Sequence, residues 1–576
     1  MSLALFFAAQ DAAAAGGSDE AECLWTQLLA ADCDGDVDGT DGTDEMDEPP
    51  ACVVRSMAYN GLAELALDRA LASGFPLRPC PQDQHAAEDR LRMALCECPA
   101  NSTAAMSAAL LAHDAGDAKG ALALFAQAAR AVDSSGDPSA ASGWREDWLL
   151  APHRHAAPLA VLYRALLLSQ LGRHEEATPE LQRLGFRWRL AGGVWECART
   201  PRGGHERTAT PDESDGGTVR LYRDAVAPGM FHALTRAFAA DAAYWRETRY
   251  ETAARGKRYF TFYVDLDELR QRSAPSHAIE ALILSLLPLT GRGNELRACE
   301  WWVHRRASGR GWGHELHYDL EEAIMEASGR VVHPALSSVV YLSSGGDPTI
   351  ILDETLQTPL SATRAFLAHP EAGSFLAFRG DLLHGVLPGP FAHDAHAGAP
   401  AGAPAGAPAG APAGGRRTHR AHATAGPSGA VVAPRLTLLV AWYDEHTKSG
   451  AKRARLGAQA SVPRPSRSQT WPRDLEVTEE ERRLDADAGA ASGAERAGGG
   501  ARQVAVPQAT PVWTQVPPLP SRQQQQQQQA GLTAPASLRQ HFFLHEANEV
   551  GDRLRAEHGL GGSWSGAGAH QGRKRK

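Results

Sequence analysis

Seven short runs of β-type residues, separated by turns, fill residues 217–446 and constrain the fold of this chain more than any other feature. They are rich in β-branched and aromatic residues, and glycine, proline or polar turns bound them, which is the pattern of strands. Helical patterns at 231–244 and 277–287 lie between the first of them. Many short strands with such turns predict a sandwich or barrel rather than a parallel α/β sheet. The predicted strands are 219–225, 258–266, 298–306, 337–344, 349–353, 374–380 and 435–444.

Residues 1–205 differ in composition and periodicity, because they are rich in alanine and leucine at helical spacing. In 110–133, a Gly-Asp break precedes small and large apolar residues three or four positions apart, and 157–186 repeat the scheme. Both stretches resemble tetratricopeptide repeats, in which small residues let paired helices pack closely and a glycine turn joins them. A generic antiparallel helical domain would produce the same pattern, so both interpretations stay open.

Three segments have a composition that cannot build a core. They are an acidic low-complexity loop at 32–48, an AGAP repeat at 397–415, and a tail at 447–576 that contains a glutamine run at 523–529 and ends in RKRK. We expect all three to be mostly disordered. The acidic loop also matches a calcium-binding pattern, with Asp34, Asp36, Asp38 and Glu45 as ligands. Asp41 at a normally apolar position argues against calcium there.

Charge and cysteine content exclude some classes of protein. The net charge is −10, so the chain has no general attraction to nucleic acid or to an anionic membrane. No run approaches the ~20 apolar residues of a membrane helix. The eight cysteines include no CxxC pair, which favours free thiols in a reducing compartment. We therefore expect a cytoplasmic or nuclear protein, although the short apolar N-terminus leaves the secretory pathway open.

The stretch GHELHYDLEE, residues 313–322, supplies candidate metal ligands. His317 and Asp319 form an H-x-D pair after a predicted strand and a glycine-rich turn. Alternate residues at a strand end point to the same side, so one imidazole and one carboxylate can reach a single ion. His384, on the next-to-last predicted strand, can complete a triad. Two histidines and one carboxylate suit Fe(II), because they leave adjacent coordination positions open.

Arg435 begins the last predicted strand and is followed by the apolar run LTLLVAWY. An arginine at this place can form a bidentate pair with a carboxylate of a small bound acid. The three candidate ligands and this arginine therefore predict a metal site beside an anion site.

H-x-D, a histidine 65 residues later and R-x-T on the closing strand resemble the Fe(II)/2-oxoglutarate-dependent dioxygenases of the prolyl 4-hydroxylase type. The resemblance implies a double-stranded β-helix, or jelly roll, in which His317, Asp319 and His384 are the catalytic iron ligands. It implies that Arg435 holds the distal carboxylate of 2-oxoglutarate and that Tyr341 contacts the same cosubstrate. Ascorbate is a further cofactor that the resemblance suggests.

The sequence departs from that family in the spacing of the arginine. In the family it follows the distal histidine closely, whereas His384 and Arg435 are 51 residues apart here. An AGAP-containing insertion at about 391–433 accounts for the difference, because the entropy of loop closure grows only logarithmically with length. The arginines inside the insertion have no predicted strand to hold them, so Arg435 is the candidate.

Several neighbouring residues are expected to have structural or surface roles rather than to bind metal or substrate. His314 could imitate an HxxH zinc site, but a strand end places it away from the metal. Glu321 and Glu322 should be solvated. Trp301 and Trp302 should be core and rim residues rather than groups that stack on a substrate.

Together these observations predict an α+β multidomain protein: an α-helical, tetratricopeptide-like region at 1–205, a double-stranded β-helix domain with flanking helices at 217–446, and a disordered tail at 447–576. The implied activity is hydroxylation of a substrate C–H bond with O2, giving succinate and CO2 as coproducts. A protein or peptide side chain, such as proline, is the favoured substrate, because repeat surfaces suit extended chains. Nucleic acid is disfavoured, because the closing strand lacks a second arginine. The alternative is an interaction scaffold with an inactive barrel.

Overall fold

The structure, a computed structural model, contains helices and antiparallel sheets, in agreement with the mixed class expected. The acidic segment at 32–48 with its calcium pattern, the insertion at 391–433 and the terminal RKRK lie outside the described residues. The structure describes residues 2–15, 17–30, 51–72, 81–133, 147–199, 218–248, 261–306, 313–321, 324–325, 328–388, 435–447, 462–491, 501–520, 542–545 and 550.

The described part of residues 1–199 is almost entirely helical. Gly116 ends the fifth helix with φ of 82°, a left-handed conformation that glycine adopts without strain, and Asp117 then caps the sixth through a 2.8 Å bond from the Gly120 amide. This is the Gly-Asp break seen in the sequence. The helices are α1 (Ser2–Ala14), α2 (Ser18–Ala30), α3 (Ala51–Ala72), α4 (Pro81–Glu97), α5 (Ser102–Ala115), α6 (Ala118–Asp133), α7 (Asp147–Gln170), α8 (His174–Arg183) and α9 (Gly192–Arg199).

Six further helices among the described residues flank or follow the strands. Helix α10 begins at a proline, whose fixed φ suits the first helical turn. A short 3-10 helix (Leu287–Thr290) follows α13. The six are α10 (Pro228–Ala237), α11 (Ala243–Thr248), α12 (Leu266–Gln271), α13 (Ala278–Leu286), α14 (Trp471–Asp474) and α15 (Glu479–Ala491).

The strands that the structure describes form three sheets, in which every hydrogen-bonded pair is antiparallel. The orders are β12-β2-β9-β6-β11-β4-β3, β13-β8-β7-β10-β5 and β14-β1-β15. The strands are β1 (Trp188–Leu190), β2 (Val219–Arg223), β3 (Phe262–Asp265), β4 (Leu296–Arg306), β5 (His314–His317), β6 (Leu336–Tyr341), β7 (Thr349–Leu352), β8 (Ala365–Ala368), β9 (Phe375–Arg379), β10 (His384–Val386), β11 (Arg435–Asp444), β12 (Arg502–Val504), β13 (Gln508–Ala509), β14 (Trp513–Gln515) and β15 (Phe543–Leu544).

Strand β11 explains how the seven-stranded sheet has two different faces. Leu438, Val440 and Trp442 belong to a core that also contains residues of α10 and α13, so this face is covered by helices. The alternate residues, beginning with Arg435 and Thr437, point to the opposite face, because side chains alternate along a strand. That opposite face is directed at the five-stranded sheet.

The five-stranded sheet is covered on both sides. Its inner face meets the seven-stranded sheet in a cluster that contains Ile351 and Phe366 from one sheet and Val339 and Leu376 from the other. Its outer face shares a second core with α7, α8 and α9, in which Trp195 is 1% exposed. The helical region and the sheets therefore pack against each other through one continuous apolar cluster.

The tail is more ordered than its composition predicts. Of residues 447–576, expected to be mostly disordered, segments 462–491, 501–520 and 542–545 are structured, and they supply α14, α15 and β12 to β15. The physical reason is that a few apolar residues, including Val512, Phe542 and Phe543, are buried in the core shared with the helices. Short strands in this tail also cap the edges of all three sheets.

All seven predicted strands are present, with ends that shift by a few residues. Within residues 217–446 the sequence missed β5, β8 and β10, which have three or four residues each, and outside them it missed β1 and the four strands of the tail. His384 was expected on the strand that includes Phe375, but it begins a separate strand, β10, in the other sheet. Among the described helices, none is both long and apolar enough to cross a bilayer.

Candidate metal site

The three predicted ligands converge between the two larger sheets. His317 ends β5, and His384 begins β10 directly opposite it in the antiparallel ladder. Asp319 follows β5 by two residues, so its side chain emerges on the same side as that of His317. One ligand atom from each of the three lies within 4.8 Å of the others. In the described part of the chain, these are the one group of three or more His, Cys, Asp or Glu side chains that meets this criterion.

The backbone fixes how each histidine is presented. His317 Nδ1 lies 2.8 Å from the carbonyl oxygen of Glu315, and His384 Nδ1 lies 2.9 Å from that of Leu382. A carbonyl oxygen can only accept, so each Nδ1 carries a hydrogen and each neutral ring keeps its Nε2 lone pair for a metal. Both Nε2 atoms are directed at Asp319, at 3.9 Å and 3.6 Å from its carboxylate oxygens.

The electrostatics of the site keep Asp319 ionised. Burial disfavours its charge, but the neighbouring His384, His317 and the hydroxyl of Ser337 prevail and hold the pKa of Asp319 well below its usual range. Burial also disfavours charge on His384, and the attraction of Asp319 outweighs it, so the pKa of His384 is raised. Two imidazole nitrogens and one ionised carboxylate are the donor set that Fe(II) and related divalent ions take, so the residues fit such a metal.

Arg435 lies on the opposite sheet and faces the same pocket. It is 5% exposed, its Nη2 donates a 2.8 Å hydrogen bond to Thr349 Oγ1, and its guanidinium carbon lies 5.7 Å from the centroid of the Tyr341 ring. The Tyr341 hydroxyl lies 2.8 Å from the same threonine oxygen. Burial lowers the pKa of Arg435, and Tyr341 and Asp347 oppose the shift. The Nε of Arg435 is buried without a hydrogen-bond partner among the described residues.

A buried, partly unsatisfied guanidinium facing a pocket is suited to an anionic ligand, because an unpaired buried donor is costly. The pocket contains the triad together with Arg435, Thr349 and Thr437. The structure therefore brings together the three candidate iron ligands and Arg435, and it places Tyr341 beside that arginine.

His314 differs from the expectation. It was expected to lie away from the metal, but it lines the same pocket, with its ring centroid 4.6 Å from that of His317. The register explains this: His384 pairs with His317 whereas Val386 pairs with His314, so β5 contains one extra residue, a bulge that turns His314 to the pocket side. His314 is not a member of the triad.

Two further expectations concern residues around the triad. Glu321, expected to be solvated, is only 1% exposed, because its backbone N–H pairs with the Val332 carbonyl at 2.8 Å and draws the segment inward. Glu322 lies outside the described residues. Trp301 is fully buried in the core, as expected. Trp302 is half-buried and lines the pocket, where its Nε1 donates to His304 Nε2 at 3.1 Å.

Sequence patterns missed the residues that support the ligands. Thr349 holds Arg435, the Ser337 hydroxyl donates to Asp319 Oδ2 at 2.6 Å, and His333 Nδ1 lies 2.9 Å from the Asp319 carbonyl oxygen. Serine and threonine are common in strands and turns, so neither residue type marks a site. The one available signal is position, since Thr349 follows the GGDP turn after the strand that carries Tyr341.

Comparisons with known proteins add little. No protein-family model matches the chain, and no curated protein matches it. Among solved structures, a Pseudomonas putida prolyl-4-hydroxylase is similar over 39% of this chain and 88% of that chain, with 16% sequence identity and a TM-score of 0.20. A likeness at that identity and TM-score is too weak to assign a function to this chain.

Proposed function

We propose that this protein is an Fe(II)- and 2-oxoglutarate-dependent dioxygenase that hydroxylates a C–H bond on a protein or peptide side chain, such as proline. The observation that carries the proposal is the convergence of His317, Asp319 and His384 within 4.8 Å, with buried Arg435 in the same pocket. In the overall reaction, O2, 2-oxoglutarate and the substrate give succinate, CO2 and the hydroxylated product. One oxygen atom enters succinate and the other enters the new hydroxyl group.

The charges of the site support this assignment. A divalent metal carries two positive charges, Asp319 carries one negative charge, and 2-oxoglutarate would bring two more. One negative charge is left over, and the cation of Arg435 balances it in a pocket where water screens charge poorly. Arg435 would bind the carboxylate that is remote from the metal, and Thr349 and Tyr341 would hold the guanidinium in place.

Each side chain of the site has a task that its contacts suit. A bound Fe(II) would supply the activation of dioxygen, which the protein side chains cannot perform. His317, Asp319 and His384 would hold that metal, and their fixed Nδ1–H bonds pre-organise the two rings. Trp302 and His304 line the pocket and would exclude water from the reacting C–H bond.

The proposal extends to architecture and substrate. The two facing antiparallel sheets would be the halves of a double-stranded β-helix at 217–446, and the helical pairs of 1–205 would be a tetratricopeptide-like module that presents an extended peptide. This combination favours a peptide substrate over a small molecule. Ascorbate would maintain the reduced state of the iron.

Anaerobic spectroscopy of the full chain tests the proposal. Fe(II) and then 2-oxoglutarate are added to the purified protein, and a weak visible metal-to-ligand charge-transfer band is expected. His317→Ala should abolish the band, because the metal loses a ligand. Arg435→Ala should keep the band but require at least about tenfold more 2-oxoglutarate, a loss of 1.4 kcal/mol.

The folded state of each variant is checked by circular dichroism. A well-folded, metal-loaded wild-type protein without a band would contradict the oxygenase proposal and leave an interaction scaffold as the better account. If the wild-type protein shows the band, the next measurement is whether added peptide increases the formation of succinate.

A further inference from the structure

Asp319 lies beyond the end of a strand, so β5 does not hold it. The backbone after β5 is attached instead to the segment that precedes β6. The Glu321 N–H donates to the Val332 carbonyl at 2.8 Å, and His333 Nδ1 donates to the Asp319 carbonyl at 2.9 Å. The main chain at and just after this ligand is therefore held by residues 332–333.

The carboxylate of Asp319 is held by a different element. Ser337, on β6 of the seven-stranded sheet, is 2% exposed and donates from its hydroxyl to Asp319 Oδ2 at 2.6 Å. A bond this short to an ionised oxygen is charge-assisted and stronger than an ordinary hydrogen bond. The two histidine ligands come from the five-stranded sheet, so Ser337 ties the third ligand to the opposite sheet.

We propose that Ser337 and His333 are positioning residues that set the affinity of the site for its divalent metal. Ser337 holds the carboxylate of Asp319 in one orientation, and His333 holds its main chain, so the ligand is pre-organised toward His317 and His384. Neither residue belongs to the triad. The inference rests on the proposed function, because it presumes a metal at the triad.

Removal of either support should weaken metal binding, because residues that orient ligands typically change metal affinity by about 10–100-fold. Co(II) is the probe, since its visible d–d absorption reports both affinity and ligand geometry. We expect Ser337→Ala and His333→Ala to raise the Co(II) dissociation constant of the full chain at least about tenfold and to shift the absorption band. Conservative variants that keep a donor, Ser337→Thr and His333→Asn, should recover most of the affinity.

Ser338→Ala is the matched control. Ser338 is the next residue on the same strand and is equally buried, but its hydroxyl donates to the Val440 carbonyl at 2.9 Å and accepts from Trp442 Nε1 at 2.8 Å. Its loss should lower the metal-free melting temperature at least as much as Ser337→Ala and leave the Co(II) dissociation constant unchanged. Melting temperatures without metal separate general destabilisation from a specific effect on the site.

The outcomes are distinguishable. Wild-type affinity in both Ser337→Ala and His333→Ala, an equal loss in Ser338→Ala, or no recovery in the conservative variants overturns the positioning roles and leaves the proposed function intact. A folded wild-type protein that binds no Co(II) overturns the proposed function, and the positioning roles with it.

Discussion

At the scale of single residues, the site is assembled from partners that are far apart in the sequence. Arg435 donates to Thr349 across 86 residues, and Ser337 donates to Asp319 across 18. The candidate ligands themselves are predictable, because few residue types bind transition metals and their spacing reflects strand geometry. Their partners are ordinary serine and threonine residues, which the sequence does not distinguish from others.

Gly346 provides a prediction at this scale. Its φ of +105° suits glycine, and a Cβ there would lie 2.4 Å from the Cβ of Arg435. Gly346→Ala should therefore displace Arg435 and raise the dissociation constant for 2-oxoglutarate at least about tenfold, measured on the anaerobic Fe(II) protein. Gly373→Ala is the control, because φ is also positive (+78°) but nothing lies within 4 Å of the added Cβ.

Both glycine variants should lose about 1–3 kcal/mol of stability from backbone strain. Gly346→Ala adds the clash with Arg435 to that strain, so only this variant should also lose affinity for the cosubstrate. Equal 2-oxoglutarate affinities in the two proteins would show that the approach of Gly346 to Arg435 does not position the arginine.

At the scale of elements, periodicity predicted every strand of five or more residues in 217–446 and missed three of the five shorter ones. Strand β11 has ten residues and a clear apolar pattern, so its bounds were predicted without error. Strands β5 and β10 have four and three residues, and each carries one candidate metal ligand where an apolar residue would mark a strand. The bulge in β5 also turns the side chain of His314 from the outer face of the sheet toward the pocket, which no local pattern indicates.

The docking of α15 on α10 gives a prediction of pH dependence. Glu481, with a side chain 2% exposed, accepts hydrogen bonds from Arg236 Nε at 3.1 Å and from the Thr478 amide at 2.8 Å, and it lies 3.0 Å from His232 Nδ1. Burial opposes its charge, but these donors prevail and lower its pKa from 4.5 to about 2. A depressed carboxylate pKa contributes stability above pH 4.5, and this stability is lost as the pH falls toward 2.

Glu481→Gln should therefore cost about 2 kcal/mol at pH 7, because the charged hydrogen bonds are weakened. The difference between variant and wild type should shrink as the pH falls from 4.5 to 2, as measured by urea unfolding at a series of pH values. Glu480→Gln, at the exposed neighbouring position, is the control. A stability difference that stays constant with pH would show that the lowered pKa of Glu481 is not coupled to folding.

At the scale of the whole molecule, the helical region and the sheets are not independent. Leu316 and Tyr318, which alternate with the candidate ligands His317 and Asp319, lie in the same core as Trp195 of α9 and Phe542 of the tail. His317 and Asp319 point inward while Leu316 and Tyr318 point outward, so the packing of the helices supports the strand that carries the ligands. Deletion of residues 1–205 would expose this core. Such a deletion therefore cannot separate a function of the helical region from a function of the metal site.

Substitutions of two buried tryptophans test this coupling. Trp195→Ala and Trp25→Ala should each cost about 3–5 kcal/mol, because each removes a large buried side chain. Trp25 lies in a separate cluster formed by α1, α2 and α3. We expect only Trp195→Ala to lower the temperature at which bound Co(II) is released, followed by its visible absorption. Release at the wild-type temperature in Trp195→Ala would show that the helical core does not support the site.

The sequence by itself determined the helical character of the described residues up to 199, seven of the strands in 217–446, and the residue types of the candidate site, because these depend on local periodicity and on the chemistry of metal ligands. Tertiary structure alone decided the strand order, the separate strand of His384, the partners Ser337 and Thr349, and the burial of tail residues such as Phe542. These features depend on contacts between distant segments. Such contacts form when apolar surfaces are buried together, and no local pattern encodes which segments will meet.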